Sequence, residues 1–481
     1  MIPLLGFMPD ADPTVSGAIL DCENIVPTTK GFAAANTLTD TGTEALPGEC
    51  RGAGLAILLT NNRRLFAGTA DALYENVSGE WVDMSRAGGY SSGAENRWRF
   101  AQFGNVTLAA NQQDVIQQST NAEFSDIAGA PRARIIEVVA GFVMALATVD
   151  STYGDEPDRW WCSGLYDHTT WTPAQSTQSA TGRFIDSPGE IRAGRKLGNT
   201  MVVYKERSMF IGEYIGPPII WAWQQIPGEI GAASQEAVVS IGTAHLFFGA
   251  DDFWVFDGSR PVSIGAPVRD WFLEHSNPKY RYRIQGYYDR LAAVVYWHYA
   301  SSDSGGELDA CLAYNVKTQR WGKVTRPIAA FVEYAAPGVT FDTMGNLYPT
   351  FDDITGIAFD SPQWFYQKPV PAVITPDGDL MLATGTPGHS SLTVNDMGDD
   401  SQYTTLRAVV PRFLQTPLLG SLQAYYKAGE GDAIEPGESA ELFDGRFDLM
   451  WSARWHRVKM DFQGAMEMTG FNVDLVRDGT R

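Results

Sequence analysis

Apolar and polar positions alternate along most of this chain in short runs, and Asn, Gly and Asp pairs cut the runs apart. Residues 55–60 form an apolar run closed by Asn61-Asn62; residues 64–68 and 72–76 follow, then Ser78-Gly79 and Trp81. A period of two marks half-buried strands, and the paired turn residues supply the backbone angles that tight hairpins require. The plan recurs at 98–103 and 106–110 around Gly104-Asn105, and at 191–203 around Gly198-Asn199. It recurs again at 244–248 and 253–256, and at 291–298 and 308–315 around an Asp/Ser/Gly loop. Residues 135–149 are the nearest approach to a membrane span, but they hold Glu137 and are too short, so they read as two core strands. One helix is predicted at 268–274, with Pro267 at its first turn.

These hairpins fall into loose repeats. An aromatic residue closes a β-rich segment at Trp81, Phe124, Trp171, Trp223, Trp271, Trp321 and Trp364, at intervals of 43, 47, 52, 48, 50 and 43 residues. Several short strands per unit at that period predict a β-propeller of about seven blades, because each unit is too small to bury its own face and must stack on its neighbours. The propeller is expected to span residues 51–370. Residues 1–50 are rich in Pro, Gly and Thr and fall outside the rhythm; residues 368–388 are Pro- and Gly-rich and read as a boundary. Residues 371–481 carry strand patterns at 406–413, 422–426, 447–451, 455–462 and 471–476 and predict a separate β-rich platform or sandwich module. The N-terminal segment is expected to add strands to it, so that the two chain ends clamp the propeller shut.

Composition narrows the function classes. Hydrophobic residues make up 44% of the 481, enough for a packed core. The net charge of −21 argues against affinity for nucleic-acid phosphates, though not against a surface past which DNA slides without adhering. Cys22, Cys50, Cys162 and Cys311 are far apart, lack zinc spacing and read as reduced, buried thiols. Residues 1–8 are apolar but lack a basic leader and hold Pro3, so the chain is expected to be made in a cytoplasm, with no membrane partner.

Catalytic patterns are not found in the sequence. The six histidines (168, 245, 275, 298, 389 and 456) match no metal-binding spacing, and His245 and His298 lie in apolar strands that suit packing. The acidic pairs Asp155-Glu156, Asp251-Asp252, Asp352-Asp353 and Asp399-Asp400 could serve a glycosidase, but each stands beside turn residues, and turn chemistry accounts for them. Asp396, Asp399 and Asp400 bunch without EF-hand spacing. No catalytic residue, cofactor or metal is therefore assigned, and the chain reads as a non-enzyme. Basic residues cluster at Arg446, Arg454, Arg457, Lys459, Arg477 and Arg481. Within that cluster Arg454, Trp455, His456, Arg457 and Lys459 form a candidate docking strand. Alternation places Arg454 and His456 on one face and Trp455 and Arg457 on the other, the second face being the one expected to bury Trp455.

Several stretches resemble the tail nozzle proteins of short-tailed phages, a family also called tail tubular protein B or packaged-DNA stabilisation protein. They are WRFAQFGNVTLAAN at 98–111, IPGEIGAAS at 226–234, FFGADDFWVFDG at 247–258, DGRFDLMWSARWHRVKMDF at 444–462 and GFNVDLVRDGTR at 470–481, with Asn24-Ile25-Val26-Pro27 before Gly31-Phe32 near the start. They keep the family's order along nearly the whole chain; the span 342–388 is not covered. The resemblance implies a structural virion protein of the tail, assembled in the host cytoplasm. As a homo-hexamer it would form a nozzle below the adaptor (head-to-tail connector) ring and hold tip, plug, fibre or spike proteins. Its lumen would retain packaged DNA and then pass it without specific binding. The alternatives that remain open are a propeller glycan hydrolase and a lectin-like tail adhesin.

Overall fold

The computed structural model describes residues 1–334 and 369–479. Trp364 and the pair Asp352-Asp353 lie outside the described residues. The protein is an all-β propeller joined to a two-sheet module.

Six four-stranded sheets stand in a ring as blades. The first runs through Ala53–Ile57, Arg63–Gly68, Leu73–Val77 and Glu80–Asp83, each strand antiparallel to the one before. The second, third and fourth blades begin at Arg99–Phe103, Arg132–Val139 and Ile191–Leu197, and the fifth at Val238–Ser240. The closing blade comprises Ala330–Tyr334, Val370–Ile374 and Leu380–Gly385, and its outer strand is Thr37–Asp40, from the other end of the chain. Between the fifth blade and the closing one, four strands from Gln285–Asp289 to Arg320–Ile328 hold a place in the ring, but they belong to a larger ten-stranded sheet. The expectation of about seven units thus resolves into six independent blades and one fused sector. The ring closes where Ala330–Tyr334 lies beside Ala53–Ile57.

The fused sector continues through Ile25–Pro27 and Phe32–Ala34 into the long C-terminal strands Glu467–Gly479 and Tyr403–Gln415, and ends at Phe447–Ala453. A second sheet of seven strands places Gly6–Phe7 and Ala18–Glu23 beside His389–Val394, Trp455–Gln463, Leu419–Lys427 and Glu435–Glu441. Both chain ends therefore enter the module. The boundary expected at residue 370 is displaced: Val370–Ile374 and Leu380–Gly385 belong to the closing blade, and the module's strands begin at His389–Val394. The Pro- and Gly-rich composition there reflects a hairpin around Gly378, whose φ is +93°, rather than a linker.

One hydrophobic core runs across this junction. Phe248, Phe253, Phe272, Trp297 and Trp321 from the ring share it with Leu4, Phe7, Ile25 and Phe32 from the N-terminal segment and with Leu406, Val458, Met460 and Phe471 from the module. Phe247, Phe248, Phe253 and Phe256 are all buried, because each face of the fifth blade packs on a neighbour: Phe248 and Phe253 face the fused sector, and Phe247 and Phe256 face the fourth blade. The helix forms at Arg269–His275, and both Asp10 carboxylate oxygens accept from its first turn, from Asp270 N at 2.7 Å and Trp271 N at 2.8 Å. That remote cap ties the N-terminal segment to the ring.

Trp297 is fully buried and donates Nε1–H to the Ala237 carbonyl at 3.0 Å, bridging the fused sector to the fifth blade. Trp297→Ala is expected to lower unfolding free energy by about 4 kcal/mol through the cavity and the orphaned carbonyl. Urea denaturation measures this, and a loss below about 1 kcal/mol would show that the junction repacks.

Candidate functional site at the propeller centre

The inner strands converge on a cavity of about 480 Å³ lined from every sector of the ring. Six arginines (97, 99, 134, 192, 195 and 283) and four glutamates (95, 190, 236 and 333) line it. They recur because inner strands begin there. Arg99 is the first residue of its strand, Arg134 and Arg192 stand near the starts of theirs, and Glu236 and Arg283 lead into the fifth blade and the fused sector. In a chain of net charge −21 this excess of arginine is a local reversal of sign.

Two ion pairs cross the opening. Arg99 of the second blade grips Glu236, which enters the fifth, with Nε to Oε1 at 2.8 Å and Nη2 to Oε2 at 3.1 Å. Arg283, entering the fused sector, pairs with Glu95 ahead of the second blade at 2.5 Å. Other pairs staple adjacent blades: Glu190 accepts from both Arg134 at 2.9 Å and Arg192 at 2.8 Å. Burial alone would push the Glu236 carboxyl up, but the charge and hydrogen bonds of Arg99 hold it below the usual carboxylate range.

Glu236→Gln is expected to cost about 2 kcal/mol in denaturant unfolding, since it leaves the Arg99 guanidinium without its counter-charge. Arg99→Gln combined with Glu236→Gln is expected to recover part of that loss, and strict additivity would show that the pair is not coupled.

Close packing explains the first of the family-like stretches. The indole of Trp98 sits between the first and second blades and donates Nε1–H to Thr69 O at 2.8 Å. A Cβ on Gly68 would lie 2.2 Å from that ring, so only glycine fits opposite it.

The predicted docking strand lies elsewhere, in the module. Trp455, His456, Arg457 and Lys459 fall on Trp455–Gln463, while Arg454 sits in the bend before it, its guanidinium 5.1 Å from the Tyr403 ring centre. The expected face is reversed. His456 is buried with Val458 and Met460, with its Nε2 3.0 Å from both Oγ1 and the carbonyl of Thr404. Trp455, Arg457 and Lys459 share the partly exposed face. Alternation fixes which residues share a face but not which face meets the core. The cations are largely paired within the chain. Arg457 and Lys427 both reach the buried Asp396, at 2.6 and 2.7 Å, and Lys459 lies 3.5 Å from Asp461.

The remaining sequence candidates are dispersed. Asp252 accepts from Phe253 N at 2.7 Å and Ser263 Oγ at 2.6 Å, and Glu156 pairs with Arg159 and Arg183. Asp396 is committed to its two cations. Among the described residues no group of three or more His, Cys, Asp and Glu is placed to hold a metal. The four cysteines are buried and unbridged. Among the described residues no helix is long and apolar enough to cross a membrane.

The fold and centre define an all-β propeller with a module built from both chain ends. No family model and no curated protein matches this chain. Among solved structures it is similar to a chain of the mitotic checkpoint complex at 7% identity and TM-score 0.38, covering 72% of this chain and 94% of that one. It is similar to YCF48 bound to D1 peptide at 12% identity and TM-score 0.36, covering 62% and 86%. It is similar to human WBSCR16 at 8% identity and TM-score 0.34, covering 60% and 86%. At these values no functional argument rests on them, and the fold assignment rests on the strand order itself.

Proposed function

We propose that this chain is a structural virion protein of a short-tailed phage tail. Six copies form a nozzle below the adaptor ring, hold tip, plug, fibre or spike proteins, retain packaged DNA and conduct it at ejection. The observation that carries the reading is where the nozzle-like stretches lie. Residues 98–111 are the first hairpin of the second blade, 226–234 and 247–258 enter and build the fifth, and 444–462 and 470–479 supply the module's long strands. The resemblance therefore reaches both halves of a molecule that shares one core, as likeness in a common propeller alone would not. The ring centre supports the same layout, since ion pairs cross it and its cavity is far too small for a duplex whose major groove alone is about 12 Å wide. A DNA path must run between copies, along an axis outside each propeller.

Cryo-electron microscopy of virions from the source phage tests this. Six copies around the tail axis beneath the adaptor ring are expected. Separate projecting copies at the tail periphery would overturn the reading in favour of an adhesin or glycan hydrolase, and the acidic pairs would then be tested for turnover of host polysaccharide.

A further inference from the structure

The pairing at the propeller centre leaves cationic donors over. Glu190 serves two arginines at once. Arg195 lies 3.8 Å from Glu137, its nearest carboxylate, and its buried Nε has no hydrogen-bond partner. Arg97 has no carboxylate within ion-pair distance among the described residues, and its one hydrogen bond is to the Cys50 carbonyl at 3.4 Å. Glu137 is largely buried, and burial pushes its carboxyl up against the pull of Arg195 and Lys196. Ion pairing thus accounts for Arg99, Arg134, Arg192 and Arg283 but leaves Arg97 and Arg195 without a close carboxylate in the lining of a cavity of about 480 Å³, within the range of small-ligand sites. The two ion pairs that cross the opening exclude a chain-like ligand threading the ring. Guanidinium forks match phosphate and carboxylate oxygens, which makes arginine the side chain suited to gripping such groups.

We infer that the propeller centre binds a small multivalent oxyanion, a free molecule bearing at least two phosphate or carboxylate groups, held by Arg97 and Arg195. The site stands independently of the nozzle reading, because its donors come from one copy of the chain; an unexpected position in the virion would leave it intact.

The test is isothermal titration of the full chain with pyrophosphate and, separately, with citrate, at low salt and again with added sodium chloride. Saturable binding of one anion per chain is expected, with Kd below about 1 mM and weakened by salt. The stronger of the two probes distinguishes phosphate from carboxylate chemistry. Arg97→Gln with Arg195→Gln is expected to weaken binding at least about tenfold, whereas Arg290→Gln, which removes an exposed charge from a distant hairpin, should not change it. Arg97→Lys with Arg195→Lys keeps the charge but loses the fork, and should give intermediate affinity even if the glutamine pair does not fold. Lack of saturable heat with either anion, or equal binding by parent and lysine pair, would overturn the inference and leave the arginines as staples alone.

Discussion

A chain that begins at residue 41 is expected not to fold cooperatively. The first 40 residues supply six strands in three different sheets. Thr37–Asp40 completes the closing blade, Ile25–Pro27 and Phe32–Ala34 join the fused sector to the C-terminal strands, and Ala18–Glu23 and Gly6–Phe7 finish the second module sheet. Leu4, Phe7, Ile19, Cys22, Ile25 and Phe32 are all essentially inaccessible in the shared core. At about 1.5–3 kcal/mol for each large apolar side chain, their removal costs on the order of 10 kcal/mol, comparable to the whole net stability of an ordinary domain. The deletion also strips hydrogen-bond partners from four strands, Arg320–Ile328, Leu380–Gly385, His389–Val394 and Glu467–Gly479, and exposes their edges to aggregation. Near-ultraviolet circular dichroism and urea titration of the truncated chain are the measurements. A single sharp transition at the full-length midpoint would show that the ring closes without its N-terminal strand.

That clamp was only partly legible. Hairpins such as 98–103 with 106–110 could be placed because their turn residues and alternation are local, and the strands Arg99–Phe103 and Val106–Ala110 follow them closely. Thr37–Asp40 has no such signal: it reads Thr-Leu-Thr-Asp, is mostly exposed, and owes its strand to a partner more than 300 residues away. The aromatic anchors mark the rhythm without marking one structural position. Trp81 and Trp223 lie in outer strands, Trp171 in a loop and Trp271 in the helix. These four serve packing, which many backbone positions can satisfy.

The propeller centre was missed for a related reason. Its arginines are scattered from 97 to 283 and form no run, whereas the basic residues of the C-terminal strands are close in sequence and therefore visible. The usable signal was an arginine near the start of the first strand in several repeats, at 99, 134 and 192. Once a ring is inferred, inner-strand starts must meet at its centre, so charge at that one repeat position predicts a charged channel mouth. Conversely, Arg457 and Lys459 of the visible C-terminal cluster are paired, with Asp396 from the segment after His389–Val394 and with Asp461 two residues on along the same strand.

Acid should unfold this protein well above the range in which carboxylates alone titrate. His245 is enclosed, with Nε2–H donating to the Lys196 carbonyl at 2.9 Å and Nδ1 accepting from the Tyr204 hydroxyl at 2.7 Å, a set that suits the neutral ring. Burial, opposed by the Lys196 carbonyl and assisted by the nearby Arg195 charge, brings its pKa down to about 4. His298 is fully buried in the fused sector with no hydrogen bond to either ring nitrogen among the described residues; burial and the Arg326 charge lower its pKa to about 3. In the unfolded chain both rings titrate near the ordinary value of about 6.5. Between that pH and about 4 the unfolded state takes up protons that the native state refuses, so stability is full above the unfolded pKa and falls as pH drops. The slope approaches about 1.4 kcal/mol per pH unit for each histidine, giving a combined loss of about 5 kcal/mol by pH 4.5. His456, also lowered by burial, adds in the same direction. Urea midpoints measured from pH 7.5 to 4.5 are expected to fall steeply below pH 6, and His298→Leu is expected to flatten the slope by removing one titrating ring. A parent protein equally stable at pH 7 and pH 5 would show that these rings find water or a partner on protonation, and that the core around Tyr204 and Arg326 opens without global unfolding.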